Sequence, residues 1–254
     1  MLKQLKNCSL YLDPDLKDVF FQQGLADFDA WWSIDVPFID ELNHRGTGWS
    51  GVSFLKLEKK GGKAVSMYIK RQEDYKKRTL FHPVSGIPTF KKEFQNIQIL
   101  YKLSVPTITP LYFAELYVKG KYQSILVTKA LSNYVSLDSG IDHLNPRMQK
   151  QLMARCGAVT RKLNDNNYFH NSLYPKHLFY SIEGSIVDVC LIDLEKLIWR
   201  PWKKTAMYKE IERFIRRRGT LSDTNMQIFL DSYLSSGSGD LSNCSFAHKL
   251  YALI

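Results

Sequence analysis

The first half of the chain alternates between apolar and polar residues, whereas much of the second half repeats apolar residues every three or four positions. The runs VSFLKL at 52–57 and AVSMYIK at 64–70 flank the glycine-containing segment 59–63. Two further apolar-rich runs, at 111–118 and 122–131, flank the turn sequence KGK. Such runs separated by turn residues are typical of β-hairpins. The pattern therefore predicts two hairpins.

One loop and one helix are predicted between these hairpins. Residues 72–88 are largely polar and contain Pro83, Gly86 and Pro88, which favours a loop. Residues 90–103 place their apolar side chains at helical spacing, which predicts a helix with one buried face.

Helices dominate the prediction beyond about residue 131. Apolar residues within 145–165 recur on one helical face, and 207–219 and 224–236 are also predicted helices. Two short strands, at 178–184 and 187–194, are predicted between the first and the second of these helices. We therefore expect an α+β, bilobal fold. Its parts are an N-terminal leader packed on the rest (1–35), a small β-rich lobe (36–130) and a helical lobe (131–254).

The composition allows a sizeable core and points to an anionic partner. The 254 residues are 44% hydrophobic, enough for one bilobal domain or two small ones. The 35 Lys and Arg residues exceed the 25 Asp and Glu residues, which gives a formal net charge of +10. Phosphate esters, nucleic acid and an acidic membrane surface would all match this charge. The choice among them depends on the motifs.

Cysteine usage and hydropathy favour a cytoplasmic protein. The four cysteines, Cys8, Cys156, Cys190 and Cys244, include no C-x-x-C pair, so neither a zinc site nor a redox couple is indicated. The N-terminus lacks an apolar core of signal-peptide length. No stretch of the sequence approaches the roughly 18 uninterrupted apolar residues of a spanning helix.

A glycine-rich segment is the first candidate for chemistry. GTGWSGV at 46–52 matches G-x-G-x-x-G between two predicted strands, a context that favours a kinase-type phosphate flap over a Rossmann site. Gly46, Gly48 and Gly51 lack the Cβ atom that would keep the backbone away from a triphosphate. A glycine-rich hairpin tip with Trp49 packed locally is the alternative interpretation.

Lys70 and Glu93 are the second candidate. Lys70 ends the strand that follows the glycine segment, and Glu93 lies within the predicted helix. A kinase places in this order a lysine that contacts the α- and β-phosphates and a glutamate that orients it. Either residue alone would be interpreted as a surface charge, but their order after the glycine segment favours the ion pair.

The segment HNSLYPKH at 170–177 is similar to the protein-kinase catalytic loop H-R-D-L-K-P-E-N. The histidine (His170), the leucine and the proline stay in register. Ser172 falls at the position of the aspartate, and His177 falls at that of the asparagine. We expect His170 to hold the shape of the loop, and Lys176 to steady a γ-phosphate as the kinase-loop lysine does.

Asp193 is the candidate for metal binding. It lies between apolar residues in IDLEKL at 192–197, where a kinase has the aspartate that holds Mg²⁺ against the β- and γ-phosphates. A carboxylate suits this role because Mg²⁺ is a hard ion that prefers oxygen ligands.

Five segments within about residues 40–235 together resemble the lipopolysaccharide kinase superfamily, in particular its InaA branch. They are NHRGTGWSGVSFL, MYIKRQ, KKEFQNI, HNSLYPKHLFY and CLIDLEKLIWR. The resemblance implies a fold like that of the eukaryotic protein kinases and a bacterial cytoplasmic setting. It also implies ATP-dependent phosphorylation of a sugar, such as a heptose or Kdo, in the inner core of lipopolysaccharide.

The resemblance also assigns site residues and cofactors. It implies ATP and Mg²⁺ as cofactors, with Lys70, Glu93, His177 and Asp193 at the nucleotide and metal positions. The sugar kinases of this family resemble this chain in having histidine at the position of His177. Thr128, near the end of the second hairpin, is counted with the candidate nucleotide-binding residues.

Ser172 departs from the pattern of an active kinase. The loop aspartate of a kinase positions the acceptor hydroxyl and accepts its proton, and a serine hydroxyl has little affinity for a proton near neutral pH. Two functions therefore stay open. In the first, the chain is a phosphotransferase in which Asp165, Asp188 or Glu195 supplies a carboxylate. In the second, it is a pseudokinase that binds nucleotide or a partner without phosphoryl transfer.

Other chemistries find little support in the sequence. The six histidines never occur as H-x-x-x-H, and there is no G-x-S-x-G, so neither a zinc hydrolase nor an α/β-hydrolase is indicated. The residues after Asp193 are Leu and Glu rather than Phe and Gly, and no A-P-E follows, which disfavours a protein substrate. Nucleic-acid binding rests on charge alone, and we do not expect it.

The basic segment at 212–218 has two interpretations. Its arginines can be cations at the end of a helix, where they interact favourably with the helix dipole. They can also form a contact for core phosphates or for the anionic lipids of the inner membrane face. Trp199 and Trp202 either stack on a sugar or membrane interface, or pack against the helical lobe.

Overall fold

The computed structural model describes residues 10–58, 62, 64–79, 82–237, 241 and 245–254. Cys8, Cys244 and most of the predicted turn at 59–63 lie outside these residues. The chain divides into two compact units. Residues up to 97 and 108–132 make up the first, and residues 98–107 and 133–254 make up the second.

A six-stranded antiparallel sheet is the centre of the first unit. In the described residues the strands of this unit are β1 (Leu10–Leu12), β2 (Asn43–Arg45), β3 (Gly48–Glu58), β4 (Ala64–Glu73), β5 (Lys76–Thr79), β6 (His82–Pro88), β7 (Pro110–Val118) and β8 (Lys121–Lys129). The order of the strands in the sheet is β1-β7-β8-β4-β3-β2. The helices are α1 (Lys17–Gln22), α2 (Phe28–Trp32) and α3 (Thr89–Lys102), and the last residues of α3 belong to the second unit.

Both predicted hairpins and the predicted helix are confirmed, as β3–β4, β7–β8 and α3. The loop predicted over 72–88 is wrong, because most of it forms a separate two-stranded sheet of β5 and β6. Proline is tolerated in such a pair because each strand has a neighbour on one side only, so a missing N–H need not break a ladder.

Residues 10–32 are part of the core of the first unit. β1 pairs with β7, and Phe20 and Trp31 are fully buried. The Trp31 ring lies 5.1 Å from the Phe20 ring and 5.2 Å from the ring of Tyr112, measured between centroids. Burying an aromatic side chain of this size stabilises a fold by several kcal/mol, typically about 3–5 when judged by truncation to alanine.

Buried Arg71 of β4 fixes the segment that follows α2. Its Nη1 donates to the carbonyl oxygens of Trp32 at 3.0 Å and Ile34 at 3.1 Å, and its Nη2 donates to that of Val36 at 3.3 Å. A buried guanidinium needs such acceptors because it cannot shed its charge. Burial lowers the pKa of Arg71 from its ordinary value.

The second unit is mainly helical. Its described strands are β9 (Val135–Ser136), β10 (Tyr168–Phe169), β11 (Leu178–Glu183), β12 (Ile186–Leu191) and β13 (Ile198–Trp199). Its described helices are α4 (Leu137–Gly140), α5 (Pro146–Asp165), α6 (Lys203–Arg216), α7 (Asp223–Ser235) and α8 (Ser245–Tyr251). The predicted strands β11 and β12 and the predicted helices α5, α6 and α7 are confirmed, whereas α8 was not predicted.

Helices α5 and α7 are joined through buried Arg161, which is 2% exposed. Its Nη1 donates to the carbonyl oxygens of Tyr233 at 3.0 Å and Leu234 at 3.3 Å, and its Nε lies 3.0 Å from Oδ1 of Asp165. The guanidinium thus satisfies carbonyl groups in the last turn of α7 that have no partner within the helix. None of the helices in the described part of the chain is long and apolar enough to cross a membrane.

Candidate functional site

Lys70 of β4 and Glu93 of α3 form the predicted ion pair in the first unit. Lys70 Nζ lies 2.6 Å from Glu93 Oε1. The Glu93 side chain is 3% exposed, whereas that of Lys70 is 20% exposed. A buried carboxylate requires a partner, and the lysine that provides it keeps an accessible face. The pair can therefore present a fixed cation to an anionic ligand.

Gln72, which no sequence motif singles out, positions this pair. Gln72 lies two residues beyond Lys70 on β4, and its Oε1 accepts hydrogen bonds from Thr89 Oγ1 at 2.6 Å and from the Phe90 N–H at 3.2 Å. These contacts hold the start of α3 on the strand that carries the lysine. A lone glutamine in a strand gives no local signal of such a role.

The three positions of the predicted phosphate flap require glycine for different structural reasons. Gly46 has a φ of +60° in the turn between β2 and β3, and a Cβ there would meet no atom within 4 Å. A Cβ on Gly48 would lie 2.4 Å from the backbone of Asp74, and one on Gly51 would lie 2.5 Å from the Phe38 ring. Close packing within the unit therefore requires Gly48 and Gly51, while Gly46 permits the turn. The binding role of all three stays a prediction.

Thr128 is also in the first unit, on β8. It is 3% exposed and lies opposite Tyr68 of β4 and Pro110 of β7. Its predicted contact with nucleotide stays a prediction.

Four of the predicted residues meet in the second unit: His170, Ser172, His177 and Asp193. Nε2 of His170 lies 2.8 Å from the Ile192 carbonyl oxygen, and the Ile192 N–H donates to the carbonyl oxygen of His177 at 3.1 Å. Nδ1 of His177 lies 2.7 Å from the carbonyl oxygen of Ser172. The loop 170–177 is thus bonded to the residue before Asp193.

His170 has a structural position in this loop. It is fully buried, and its ring lies 5.7 Å from that of His177 at an interplanar angle of 16°. Burial lowers its pKa to about 4, so the ring is neutral at physiological pH. A neutral imidazole whose Nε2–H donates to a carbonyl can hold the loop in shape. The role of His170 in the reaction stays a prediction.

His177 and Asp193 bring two potential metal-ligand atoms close together, one nitrogen and one oxygen. Nε2 of His177 lies 3.3 Å from Oδ2 of Asp193, and Nδ1 lies 2.7 Å from the Ser172 carbonyl oxygen. A neutral imidazole whose Nδ1–H donates to a carbonyl offers the lone pair of Nε2 to a metal ion. Asp193 has a φ of +57°, and its side chain is 37% exposed. Non-glycine residues at positive φ are uncommon in proteins as a whole, and those that occur are concentrated at functional sites.

This donor set fits a divalent cation that is shared with a ligand. No group of three or more His, Cys, Asp or Glu side chains in the described residues could hold a metal ion. Mg²⁺ commonly binds through one or two carboxylates and completes its octahedron with substrate phosphates and water. The Asp193 carboxylate meets that requirement when phosphate is present, whereas the His177 imidazole, 3.3 Å from it, is a nitrogen donor that Mg²⁺ accepts less readily than oxygen.

Ser172 is 3% exposed and Lys176 is exposed in the short 3₁₀ turn Pro175–His177. Two of the carboxylates considered as substitutes for the missing aspartate have structural partners. Asp165 lies 2.7 Å from Lys203 Nζ in addition to its contact with Arg161, and Asp188 accepts a hydrogen bond from the Tyr134 hydroxyl. We therefore set both aside as proton acceptors.

Comparison with known proteins decides the family. Residues 29–233 match the model of the lipopolysaccharide kinase (Kdo/WaaP) family. The chain belongs to this family. It is also 23% identical over 200 residues to Protein InaA of Escherichia coli (strain K12), an alignment that covers 74% of this chain and 88% of that protein. The predicted relation to the superfamily, near InaA, is confirmed.

A solved structure supports the same fold. The structure described as WaaP in complex with acyl carrier protein superposes with a TM-score of 0.62 and 17% identity, and it covers 96% of both chains. At this identity the likeness concerns the fold alone. The predicted α+β, kinase-like fold is confirmed, with a β-sheet in the N-terminal region and helices in the C-terminal region.

In this member of the lipopolysaccharide kinase family, the buried side chain of Glu210 on α6 binds the backbone of the loop 170–177. Its Oε1 accepts from the Asn171 N–H at 2.8 Å, and its Oε2 accepts from Asn164 Nδ2 at 2.8 Å. The hydroxyl of Tyr233 donates to Asn164 Oδ1 at 2.8 Å. Glu210 is 3% exposed, and burial raises its pKa to about 7.

The basic segment at 212–218 is divided between loop contacts and ion pairs. Arg213 donates to the carbonyl oxygen of Asn171 at 2.8 Å, and Arg217 donates to the Tyr174 hydroxyl at 3.0 Å. Arg216 pairs with Glu212 and Arg218 with Asp223, at 2.8 and 2.6 Å. Two of these arginines therefore support the loop and two are neutralised by carboxylates, which the helix-dipole interpretation did not include.

Proposed function

We propose that this chain is an ATP-dependent phosphotransferase that acts on a hydroxyl group of a lipopolysaccharide core sugar or a related lipid-linked sugar. Membership of the lipopolysaccharide kinase (Kdo/WaaP) family supports a kinase-type function. The observation that carries the proposal is the Lys70–Glu93 pair, with 2.6 Å between Nζ and Oε1.

Lys70 would bind the nucleotide phosphates. Its ammonium group is held by a buried glutamate, so little side-chain entropy is lost when a phosphate arrives. Phosphoryl transfer depends mainly on positioning and on neutralising charge, and a fixed lysine supplies both. Gln72 contributes indirectly because it keeps α3, and with it Glu93, on β4.

His177 and Asp193 would hold Mg²⁺, which supplies charge neutralisation for the phosphates when it is bound. The Nδ1–H of His177 donates to the Ser172 carbonyl, so its Nε2 is oriented beside Asp193 Oδ2. Lys176 is exposed on the same loop and would contact the phosphoryl group during transfer.

In this proposal, Ser172 in place of the loop aspartate makes phosphoryl transfer slower but does not prevent it. The transition state of phosphoryl transfer is loose in most analyses, so the acceptor hydroxyl needs little deprotonation before the phosphoryl group reaches it. Loss of general-base assistance typically costs roughly 10²–10⁴-fold. We propose that the Ser172 hydroxyl positions the acceptor through a hydrogen bond. As the new O–P bond forms and the bond to ADP breaks, the acceptor proton would pass late to a non-bridging oxygen of the transferred phosphoryl group. The proposed setting is the cytoplasm, with peripheral contact at the inner membrane face.

A thermal shift assay with Mg-ATP tests the nucleotide site. We expect Mg-ATP to stabilise the wild type, by about 2.7 kcal/mol when ATP is present at roughly 100 times its Kd. Lys70→Ala should lose this stabilisation because the phosphate-binding cation is gone. Lys56→Ala is the matched control, since Lys56 is exposed on β3 of the same sheet. Absence of a shift in the wild type across several divalent metals would contradict the proposal.

A turnover assay separates phosphotransfer from nucleotide binding alone. We expect the wild type to transfer ³²P from labelled ATP to inner-core oligosaccharide, and Lys70→Ala to reduce that transfer at least 100-fold, about 2.7 kcal/mol. A wild type without turnover, together with a Ser172→Asp variant that gains it, would instead favour a pseudokinase. Family membership is the reason to expect the first result.

A further inference from the structure

A cavity of about 430 Å³ adjoins the loop of the second unit. Asn171, which precedes Ser172, is one of its lining residues. Phe169 of β10, Ile198 of β13 and Ala206 of α6 give part of the lining an apolar character. The volume falls within the roughly 300–1,000 Å³ of small-molecule sites, which combine apolar walls with a few polar groups.

Three cations line this cavity: Arg200, Lys209 and Arg213. Arg200 and Lys209 are exposed, and their side chains make no ion pair or hydrogen bond with any residue that the structure describes. Arg213 uses Nη1 to hold Asn171, which leaves further N–H groups of its guanidinium for a ligand. The cavity therefore offers unsatisfied donors on more than one side chain.

The carboxyl group that lines the cavity does not cancel this charge. Glu210 is a lining residue, but its two oxygens already accept hydrogen bonds from the Asn171 N–H and from Asn164 Nδ2. Burial also raises its pKa to about 7, which reduces its negative charge near neutral pH. An anion in the cavity would face the cations.

A second cavity of about 540 Å³ shares two lining residues with the first, Thr205 and Lys209. It adds Lys204 of α6 and Lys249 of α8, so the cationic surface continues across α6. Trp202 lines the first cavity and is 78% exposed. An exposed indole beside cations offers an apolar face to the C–H groups of a sugar ring.

We propose that these adjoining cavities bind an anionic saccharide. Arg200, Lys209 and Arg213 would hold its phosphate or carboxylate group, and its ring would lie on Trp202. The identification of this saccharide as the phosphoryl acceptor rests on the proposed function. The concave shape favours a saccharide over a membrane surface, because a flat bilayer would leave both cavities unfilled.

Isothermal titration of the full chain in the absence of ATP tests this site. The probes are glucose 6-phosphate, glucuronate, glucose, inorganic phosphate and vesicles that contain phosphatidylglycerol. We expect the two charged sugars to bind more tightly than glucose or phosphate alone. Lys209→Gln should weaken that binding about 10-fold, because a charge-assisted hydrogen bond is lost. Lys150→Gln, an equal change of charge at an exposed position of α5, should not.

A second variant tests the stacking role of Trp202. Trp202→Ala should weaken both charged sugars and leave inorganic phosphate unaffected, because phosphate has no ring to stack. Equal losses in Lys209→Gln and Lys150→Gln would overturn the proposal in favour of unspecific charge attraction. Binding of the vesicles alone would overturn it in favour of a membrane contact, and no binding of either charged sugar would also overturn it.

The saccharide proposal and the nucleotide proposal can fail separately. Lys70→Ala should bind glucose 6-phosphate as the wild type does, since Lys70 does not line either cavity. Retained sugar binding without a Mg-ATP shift in the wild type would contradict phosphotransfer while supporting the saccharide site. A normal ATP shift without sugar binding would contradict the saccharide site alone.

Discussion

Replacing Glu210 by glutamine should change how the stability of the protein depends on pH. Glu210 is buried, accepts hydrogen bonds from Asn164 and the Asn171 N–H, and has a pKa raised to about 7 from an ordinary 4.5. A carboxyl group with a raised pKa favours the folded state only while it is protonated. Its contribution to stability is therefore present below pH 4.5 and is lost as the pH rises through about 7.

The magnitude follows from the two pKa values. Each pH unit between an ordinary 4.5 and about 7 corresponds to ~1.4 kcal/mol, so the full loss is roughly 3 kcal/mol. Between pH 5 and 8 the wild type should lose about 2 kcal/mol of this, because titration in the unfolded state is already under way at pH 5. Glutamine does not titrate, so Glu210→Gln lacks this loss.

His170 acts in the opposite direction over a similar range. Its pKa is lowered from 6.5 to about 4, so its contribution is present above pH 6.5 and is lost as the pH falls through about 4. It is the same in both proteins and cancels when they are compared. The charge of Arg213 lowers the pKa of Glu210, but the opposite effect of burial is larger.

Urea unfolding followed by tryptophan fluorescence measures the effect. The free energy of unfolding of the wild type, relative to Glu210→Gln, should fall by about 2 kcal/mol between pH 5 and 8. Any penalty from a glutamine N–H group that faces Asn164 is independent of pH. Glu212→Gln is the matched control, because Glu212 lies on the same helix in an exposed pair with Arg216. A difference that stays constant with pH would refute the assignment of a raised pKa to Glu210.

Two further variants test the packing of the units. Arg161→Ala should lower the free energy of unfolding by about 1–3 kcal/mol, because the buried Tyr233 carbonyl loses this donor, while Asp165 keeps Lys203 and the Leu234 carbonyl keeps the Leu241 N–H. Urea unfolding should show less than about 1 kcal/mol for Arg216→Ala at an exposed pair. Gly48→Ala should cost about 1–3 kcal/mol in thermal unfolding, because its Cβ would lie 2.4 Å from the backbone of Asp74. A melting temperature equal to that of the wild type would show that the β3 backbone can move away.

Local pattern was enough to predict the hairpins and most of the helices. A strand alternates its side chains between two faces, and a helix repeats its face every three to four residues, so each periodicity is visible without knowledge of the fold. The pattern failed at 72–88, where prolines and polar residues form the small sheet of β5 and β6. Pairing between two edge strands depends on backbone geometry that composition does not encode.

The candidate site was predictable only where each residue has a fixed place in an ordered motif. Lys70, Glu93, His177 and Asp193 could be proposed because their order along the chain is that of a kinase. Gln72 and Glu210 could not, because each acts on backbone N–H groups of a segment that is distant in sequence. Any buried polar side chain could have been chosen for such a role.

The sequence by itself determined the order of the two hairpins and of most helices, the excess of positive charge and the presence of Ser172 where a kinase has an aspartate. Only the tertiary structure decided which cationic side chains have a carboxylate partner and which can bind a ligand. Arg216 has a carboxylate partner, whereas Arg200 and Lys209 line a cavity without one among the described residues. Electrostatic energy depends on the distance between charges and on their exposure to water, and neither quantity is set by separation along the chain.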